Sequence, residues 1–345
     1  MTNDERIRTN ETHTCLFCEI QGAPLYGGLR DRLFGVRGVW GSLQCPECGL
    51  VWLNPRPRPE EMARLYSEYY THGQEEERPG LARLRDKVEA AILAGSPGRR
   101  ALAPAWGWRQ LGWALRLIPP LREMASLRMM CLDRVEPGKI LDVGCGNGRF
   151  LSIMKAAGWE VAGIESDPTA ARIAREHYGI PVVVGTLQEA GLAEESFDSV
   201  TLNHVIEHVQ DPVGLLQECR RVLKREGLLV VTTPNIASLG HTKFRQNWLY
   251  LDPPRHFYLF SPKTLAGAAA KSGFQTFRVQ TSSRYAVHTW MGSRAITNKG
   301  TFSNSDMTLT SAIGGSVFHL REELARLAIE SAGEELVMVA SKGHP

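Results

Sequence analysis

Four cysteines in two short pairs are the first residues whose spacing implies chemistry. Cys15 and Cys18 stand in "CLFC", and Cys45 and Cys48 stand in "CPEC". Each C-x-x-C lets two thiolates reach one ion from a tight turn, and two such turns complete a tetrahedral zinc site. Gly49 follows the second pair directly, where the turn needs a residue free of Cβ strain. Four sulfur ligands close the coordination sphere, so a structural ion is expected. The remaining cysteines, Cys131, Cys145 and Cys219, are scattered and read as small apolar residues.

A second constellation is "NHVIEH" at 203–208, whose last five residues fit the H-x-x-E-H pattern of a zinc peptidase. That chemistry needs a helix long enough to show His204 and His208 on one face, plus a third ligand. Asp211-Pro212 starts a new helix almost at once, as a cap followed by a proline at the first helical position. Little more than one turn remains, and the strand-like "FDSVTLN" leads straight into it. A peptidase centre is therefore not expected.

The third constellation is "ILDVGCGNGRFL", which sets Gly144, Gly146 and Gly148 just past an apolar run and before a helix opening at Arg149. Glycines there let backbone approach a ligand closely, and the helix start offers unpaired N–H groups. Asp142 ends the first strand, and Glu165 ends the second in "VAGIES". An acid at that place can accept hydrogen bonds from both hydroxyls of a ribose.

The elements that must hold these residues follow from periodicity. From 139 onward, short apolar runs ("KILDVG", "EVAGIE", "PVVVG", "FDSVTLN", "GLLVVTTP", "FQTFRVQ", "ELVMVASK") are separated mostly by helical segments. Such alternation predicts an α/β fold, a parallel sheet with helices on both faces. Before it, "NPRPRP" reads as a linker after the cysteine pairs, and Pro59-Glu60-Glu61 reads as a helix start. Residues 81–133 have helical spacing broken at "GSPG" and "PP". They predict a helical cap, with peripheral membrane contact through Trp106, Trp108 and Trp113 as the alternative. The chain has 345 residues, a net charge of +3, 43% apolar and 22% charged residues, and no dense Lys/Arg block. These figures suit a globular protein and favour no polyanionic partner. The start "MTNDERIRTN" has no apolar core of a signal sequence, and a cytoplasmic location is the expectation.

The segments "LDVGCGNG", "GIESDP", "SFDSVTLNHVIEHVQDP" and "GLLVVTTPN" resemble, in order and spacing, the class I S-adenosylmethionine-dependent methyltransferases over residues 125–341. The resemblance implies a Rossmann-like, mostly parallel seven-stranded sheet whose last strand is antiparallel. "CLFC…CPECGLVWLNP" and "PPRHFYLFSPKTL" are similar to a narrower group with an N-terminal zinc ribbon, associated with polysaccharide, sugar and secondary-metabolite modification. The expected layout is a four-cysteine zinc-ribbon module at 1–58 and a helical cap at 59–133. The methyltransferase domain follows at 134–345, with insertions at 236–260 and 282–333. By this resemblance Asp142, Gly144, Cys145, Gly146 and Gly148 line the methionine and ribose of the cofactor. Glu165 holds the ribose hydroxyls beside Ser166, backbone near Leu187 meets the adenine, and Asn203 and His204 lie where donor and acceptor meet.

A hydroxyl acceptor needs a general base, and His256, His204 and His208 are the candidates, with His256 first. His208 and Glu207 could equally be satisfied structural residues, and Arg255 either orients an anionic acceptor or sits in a salt bridge. The "DPP" at 252–254 does not match the signature of base-modifying methyltransferases, because Arg255 replaces the aromatic residue. The expected reaction is methyl transfer from S-adenosylmethionine to a hydroxyl or carbon of a small-molecule, sugar or glycan acceptor. The alternatives are RNA methylation with the ribbon gripping nucleic acid, and a non-catalytic cofactor-binding module.

Overall fold

The computed structural model describes residues 7–65, 80–94 and 106–343. The expected cap at 59–133 therefore lies partly outside the described residues. In chain order the elements begin with strands β1 (Thr9–Asn10), β2 (Ala23–Leu29), β3 (Trp40–Gln44), β4 (Val51–Asn54) and β5 (Arg56–Pro57). Helices α1 (Met62–Leu65), α2 (Gly80–Ala94), α3 (Trp106–Leu115) and α4 (Pro119–Arg128) follow. The alternating part runs β6 (Lys139–Val143), α5 (Arg149–Ala156), β7 (Glu160–Glu165), α6 (Pro168–Tyr178), β8 (Val182–Val184), β9 (Phe197–Asn203), α7 (Pro212–Val222) and β10 (Leu223–Pro234). It ends with α8 (Leu239–Phe244), β11 (Tyr258–Leu259), α9 (Pro262–Lys271), β12 (Thr276–Ser282), α10 (Ala286–Lys299), α11 (Leu309–Arg326) and β13 (Glu335–Ser341).

Seven strands form one sheet in the order β12-β13-β10-β9-β6-β7-β8. β6 pairs in parallel with both β7 and β9, and β7 with β8. β6 carries Ile140 and Leu141 at 0% and 1% exposure, which is the burial on both faces that a covered parallel sheet demands. Helix starts follow the chemistry of their first residues. Asp167 accepts the Thr169 N–H ahead of Pro168, and Ser261 and Thr264 form a capping box ahead of Pro262. Among the described residues, no helix is long and apolar enough to cross a membrane.

Two compact units share the chain. One comprises Tyr70–Asn203, Glu218–Val230 and Ser341–Pro345, and contains the glycine turn between β6 and α5. Within it α3 packs on α2, where a Cβ at Gly112 would stand 2.0 Å from the Ala91 carbonyl oxygen. Trp113 on α3 remains 64% exposed.

The other unit comprises Met1–Tyr69, His204–Gln217 and Val231–Ala340. Its antiparallel sheet has the order β11-β4-β3-β2, so a strand at 258–259 completes the sheet of the cysteine-bearing segment. "NPRPRP" is therefore not simply the linker its prolines suggested, since Arg56–Pro57 lies in a strand. Val51–Asn54 is a central strand, and Arg56–Pro57 pairs with Thr9–Asn10. The prolines are accommodated because Asn54-Pro55 lies in the short connection between two strands.

For Arg255 the salt-bridge reading holds, in the interior rather than at the surface. Its side chain is fully buried rather than presented to a ligand. The guanidinium forms a fork with Asp31 (2.8 and 2.9 Å), binds Asp252 through Nε (3.0 Å) and Nη2, and stacks on Phe34 at 4.5 Å. Asp31 also accepts the N–H groups of Leu33, Phe34 and Val36. Removing one carboxylate would leave a buried cation half compensated. Asp31→Ala should therefore lower unfolding free energy in urea by about 3–5 kcal/mol; a loss below about 1 kcal/mol would contradict this role.

Candidate functional site

The glycine turn is built by conformation before it is built by contacts. Gly144, Gly146 and Gly148 have φ of 73°, 54° and 81°, in the region that disfavours any Cβ. The N–H groups of Gly144 and Cys145 both point to the Ile164 carbonyl (2.8 and 3.0 Å), which ties the turn to β7. Gly163, a residue that sequence reading passed over, makes this approach possible: a Cβ there would lie 2.5 Å from the Cys145 sulfur. Cys145 itself is buried, 7% exposed.

Glu165 closes the turn. Its Oε2 accepts the Gly146 N–H at 2.7 Å, and its Oε1 accepts the Asp167 N–H at 2.9 Å and the Ser166 hydroxyl at 3.4 Å. These bonds fix the carboxylate plane; Oε2 keeps a second lone pair, and on Oε1 a diol hydroxyl would take the place of the long Ser166 contact. Asp142 lies beneath, 2% exposed, accepting from Thr201 Oγ1 at 2.6 Å. Burial, reinforced by the charge of Glu165, pushes its carboxyl up to about 7 against the Thr201 bond. Leu187 is buried in the turn after β8, and Asn203 ends β9 half-buried. The residues present suit S-adenosylmethionine: the Glu165 carboxylate could accept from a ribose diol, and the glycines allow close approach of backbone.

The cysteines meet as the spacing predicts. One ligand sulfur from each of Cys15, Cys18, Cys45 and Cys48 lies within 4.8 Å of the others, and Cys15 Sγ is 3.6 Å from Cys48 Sγ. Sulfurs about 2.3 Å from a tetrahedral zinc stand roughly 3.8 Å apart, so the cage fits the ion. Each turn ends on a left-handed residue, Glu19 at φ 58° and Gly49 at φ 83°; only the second was legible as a glycine. Backbone N–H groups of Phe17 and Cys48 donate to the sulfurs of Cys15 and Cys45 (3.3 and 3.4 Å). Against the upward push of burial, such donors bring Cys45 down to about 7, favouring the thiolate.

The histidines are the least expected part. Ile206–His208 is a single 3-10 turn, so His204 and His208 do not present one helical face. His204, at φ 54°, directs Nδ1 to Glu207 Oε1 (3.2 Å) and Nε2 to Glu335 Oε1 (3.1 Å). Burial opposes the charged ring, but Tyr285, Glu207 and Glu335 raise its pKa well above 6.5. Glu335 also binds Arg284 at 2.5 Å, and its Oε2 is buried with no hydrogen-bond partner among the described residues. Tyr285 stands edge-on to His204 at 5.1 Å. His208 gives Nδ1–H to the Arg255 carbonyl (3.1 Å), and His256 gives Nδ1–H to that of Tyr250 (2.8 Å). Burial and the neighbouring His256 push His208 down to about 4. Arg284, Tyr285 and Glu335 escaped sequence reading. The signal was there in "EELVMVAS", where two acids open an apolar strand.

Residues 115–279 match the family model described as a methyltransferase domain. The ubiquinone biosynthesis O-methyltransferase of Alkalilimnicola ehrlichii is 36% identical over 126 residues, which cover 34% of this chain and 51% of that protein. The enzyme of the same name from Paracidovorax citrulli is 35% identical over 126 residues, 34% of this chain and 53% of that one. The chain thus spans about half the length of the curated relatives it matches. A solved S-adenosylmethionine-dependent methyltransferase from Archaeoglobus fulgidus aligns over 67% of this chain and 98% of its own, at 21% identity and a TM-score of 0.44. Residues 115–279 are thus similar to a methyltransferase domain.

If Asp142 lies beside the bound cofactor, its raised carboxyl predicts a pH dependence of binding. A cationic ligand favours the ionised form, which dominates only above about pH 7. Affinity for S-adenosylmethionine should fall about tenfold from pH 8 to pH 6, and Asp142→Asn should flatten the dependence. Calorimetry showing a pH-independent wild type would rule this out.

Proposed function

We propose that the chain transfers the methyl group of S-adenosylmethionine to a hydroxyl of a small-molecule acceptor, with sugars and glycans as the acceptor class and carbon methylation as a variant. The observation that carries this reading is the Glu165 carboxylate, fixed by Gly146 and Asp167, with a lone pair left on Oε2 and only the long Ser166 contact to displace on Oε1. Asp142, Gly144, Cys145, Gly146 and Gly148 would line the methionine and ribose. Ser166 would assist Glu165, Leu187 would offer backbone to the adenine, and Asn203 would border the methyl. The matching relatives named as O-methyltransferases support an oxygen acceptor. A reducing cytoplasm would keep the four zinc-binding thiols available.

The sulfonium brings the reactivity, so the protein's task is to align the acceptor, exclude water and take its proton. Glu335 Oε2, buried and in want of a donor, suits a hydroxyl. His204 shares the other oxygen of that carboxylate and directly follows Asn203 in the chain. We therefore assign proton uptake to the Glu335 carboxylate, positioned by the charged His204, in place of His256, whose ring is 6% exposed and gives Nδ1–H to a carbonyl.

Two variants test the two halves. Glu165→Ala should weaken S-adenosylmethionine binding by about 10–100-fold, the loss of one or two charged hydrogen bonds. His204→Gln should lower kcat by about 10²–10⁴-fold while cofactor affinity stays as in the wild type. Unchanged affinity in the first, measured calorimetrically, would remove the cofactor assignment. Unchanged turnover of a sugar or phenol acceptor in the second would remove His204 from positioning that carboxylate.

A further inference from the structure

We infer that α11 is a peripheral membrane contact, its outward face lying in the headgroup layer of an anionic bilayer. The helix reverses the usual order of a surface helix. Its inward face holds Gly315, Phe318 and Glu322, all buried. Its outward face holds Leu309, Ile313, Val317, Leu320, Leu324 and Leu327, each between 57% and 85% exposed. Steps of three and four residues keep these six side chains within a sector of about 80°, in a row about 27 Å long on the 18-residue helix. Scattered leucines on a surface need no explanation, whereas a continuous aliphatic row of this length marks a contact face.

What borders the row decides what covers it. On one long edge, α11 packs against Trp290 of α10. A Cβ at Gly314 would lie 2.7 Å from Trp290 Nε1, and the Phe318 ring stacks on the indole at 5.4 Å. Two cations stand over the same indole, Lys243 Nζ at 5.2 Å and Arg294 at 5.9 Å from its centroid. Arg321 continues this edge three residues beyond Phe318, on the same side of the helix. All three cations are exposed, and none has an acidic partner among the described residues. The acids of the segment are engaged elsewhere: Glu322 is buried, Glu323 binds Arg326 (2.8 Å) and Asp306 binds Lys299 (2.6 Å), which leaves Glu330. An aliphatic row with an indole and uncompensated cations along its edge is complementary to anionic headgroups over acyl chains. A second copy of the chain would cover the row but bring three more cations to it.

Among the described residues no helix is long and apolar enough to cross a membrane, so the contact is one of lying on the bilayer. The aliphatic side chains would reach about 5–10 Å into the boundary between headgroups and acyl chains. This face is not the 81–133 segment, whose tryptophans suggested such contact from the sequence. None of its six aliphatic residues belongs to the cofactor turn or to the residues assigned to the acceptor.

The test is flotation of the full chain, without cofactor or acceptor, on vesicles of phosphatidylcholine alone or of phosphatidylcholine and phosphatidylglycerol in equal parts. The wild type should float with the anionic vesicles, its partition coefficient at least about tenfold above that for phosphatidylcholine alone. Val317→Glu with Leu320→Glu should lower that coefficient by at least about tenfold. Lys243→Glu with Arg294→Glu should cut the preference for phosphatidylglycerol by at least about fivefold. All four side chains are exposed, and an unchanged urea midpoint shows each variant folded. A wild type that floats with neither vesicle would overturn the inference. So would equal partition into both, or flotation unchanged by Val317→Glu with Leu320→Glu. A dimer in sedimentation that this same pair dissociates, with no flotation, would give the row to a second copy instead. Should the variants fail to fold, the response of the wild type to phosphatidylglycerol decides alone. The methyltransferase reading stands under any of these results.

Discussion

A carboxylate with no access to water has to be surrounded by donors, and Glu207 imposes that requirement on the residues around it. Its side chain is fully buried, and burial alone would drive it toward the neutral acid. Hydrogen bonding and charge from His204, with His208 and His256 adding to them, hold it ionised, down to about 2. Thr233 from β10 supplies a neutral donor to the other oxygen. Even the backbone of this residue is used, since its carbonyl accepts the Phe257 N–H at 2.7 Å. One buried acid therefore fixes the turn after β9, the end of β10 and the segment around 255–258.

That segment is also where the N-terminal cysteine module becomes part of a larger unit. Tyr258–Leu259 pairs with β4, and Leu53 N–H donates to the Phe257 carbonyl at 2.9 Å. Arg56 stacks on Tyr258 at 4.6 Å, and Lys263 reaches the Glu47 carbonyl at 3.4 Å beside the second cysteine pair. A zinc cage built from four sulfurs stabilises its own two turns. Through β3 and β4 it also stabilises the strand partner of the chain that carries His256.

The alternating sheet was legible because its signal is local. Runs such as "KILDV" and "EVAGIE" carry their burial in consecutive residues, and Gly144, Gly146 and Gly148 announce a turn by type alone. The cysteine cage was legible for the same reason, two pairs at fixed spacing. What escaped was whatever depends on partners far apart in sequence. Arg255 looked like a surface cation in a polar loop, yet its counter-charge Asp31 lies 224 residues away. Glu335 looked like the acidic lip of a strand, and its bond to His204 spans 131 residues. The prolines of "NPRPRP" argued for a linker because propensity cannot see that Arg56–Pro57 pairs with Thr9–Asn10, about 47 residues earlier.

The fork between Arg255 and Asp31 has a bearing on how such chains can be recombined. Its two halves are encoded in the first tenth of the chain and in its last third, and neither half is tolerable in the interior without the other. Grafting another cysteine segment onto this scaffold would strand Arg255 wherever the imported loop has no acid in the place of Asp31, unless the stretch near 252–258 travelled with it. The module that reads as a detachable N-terminal cassette is in physical terms one half of a lock, inherited only together with its key.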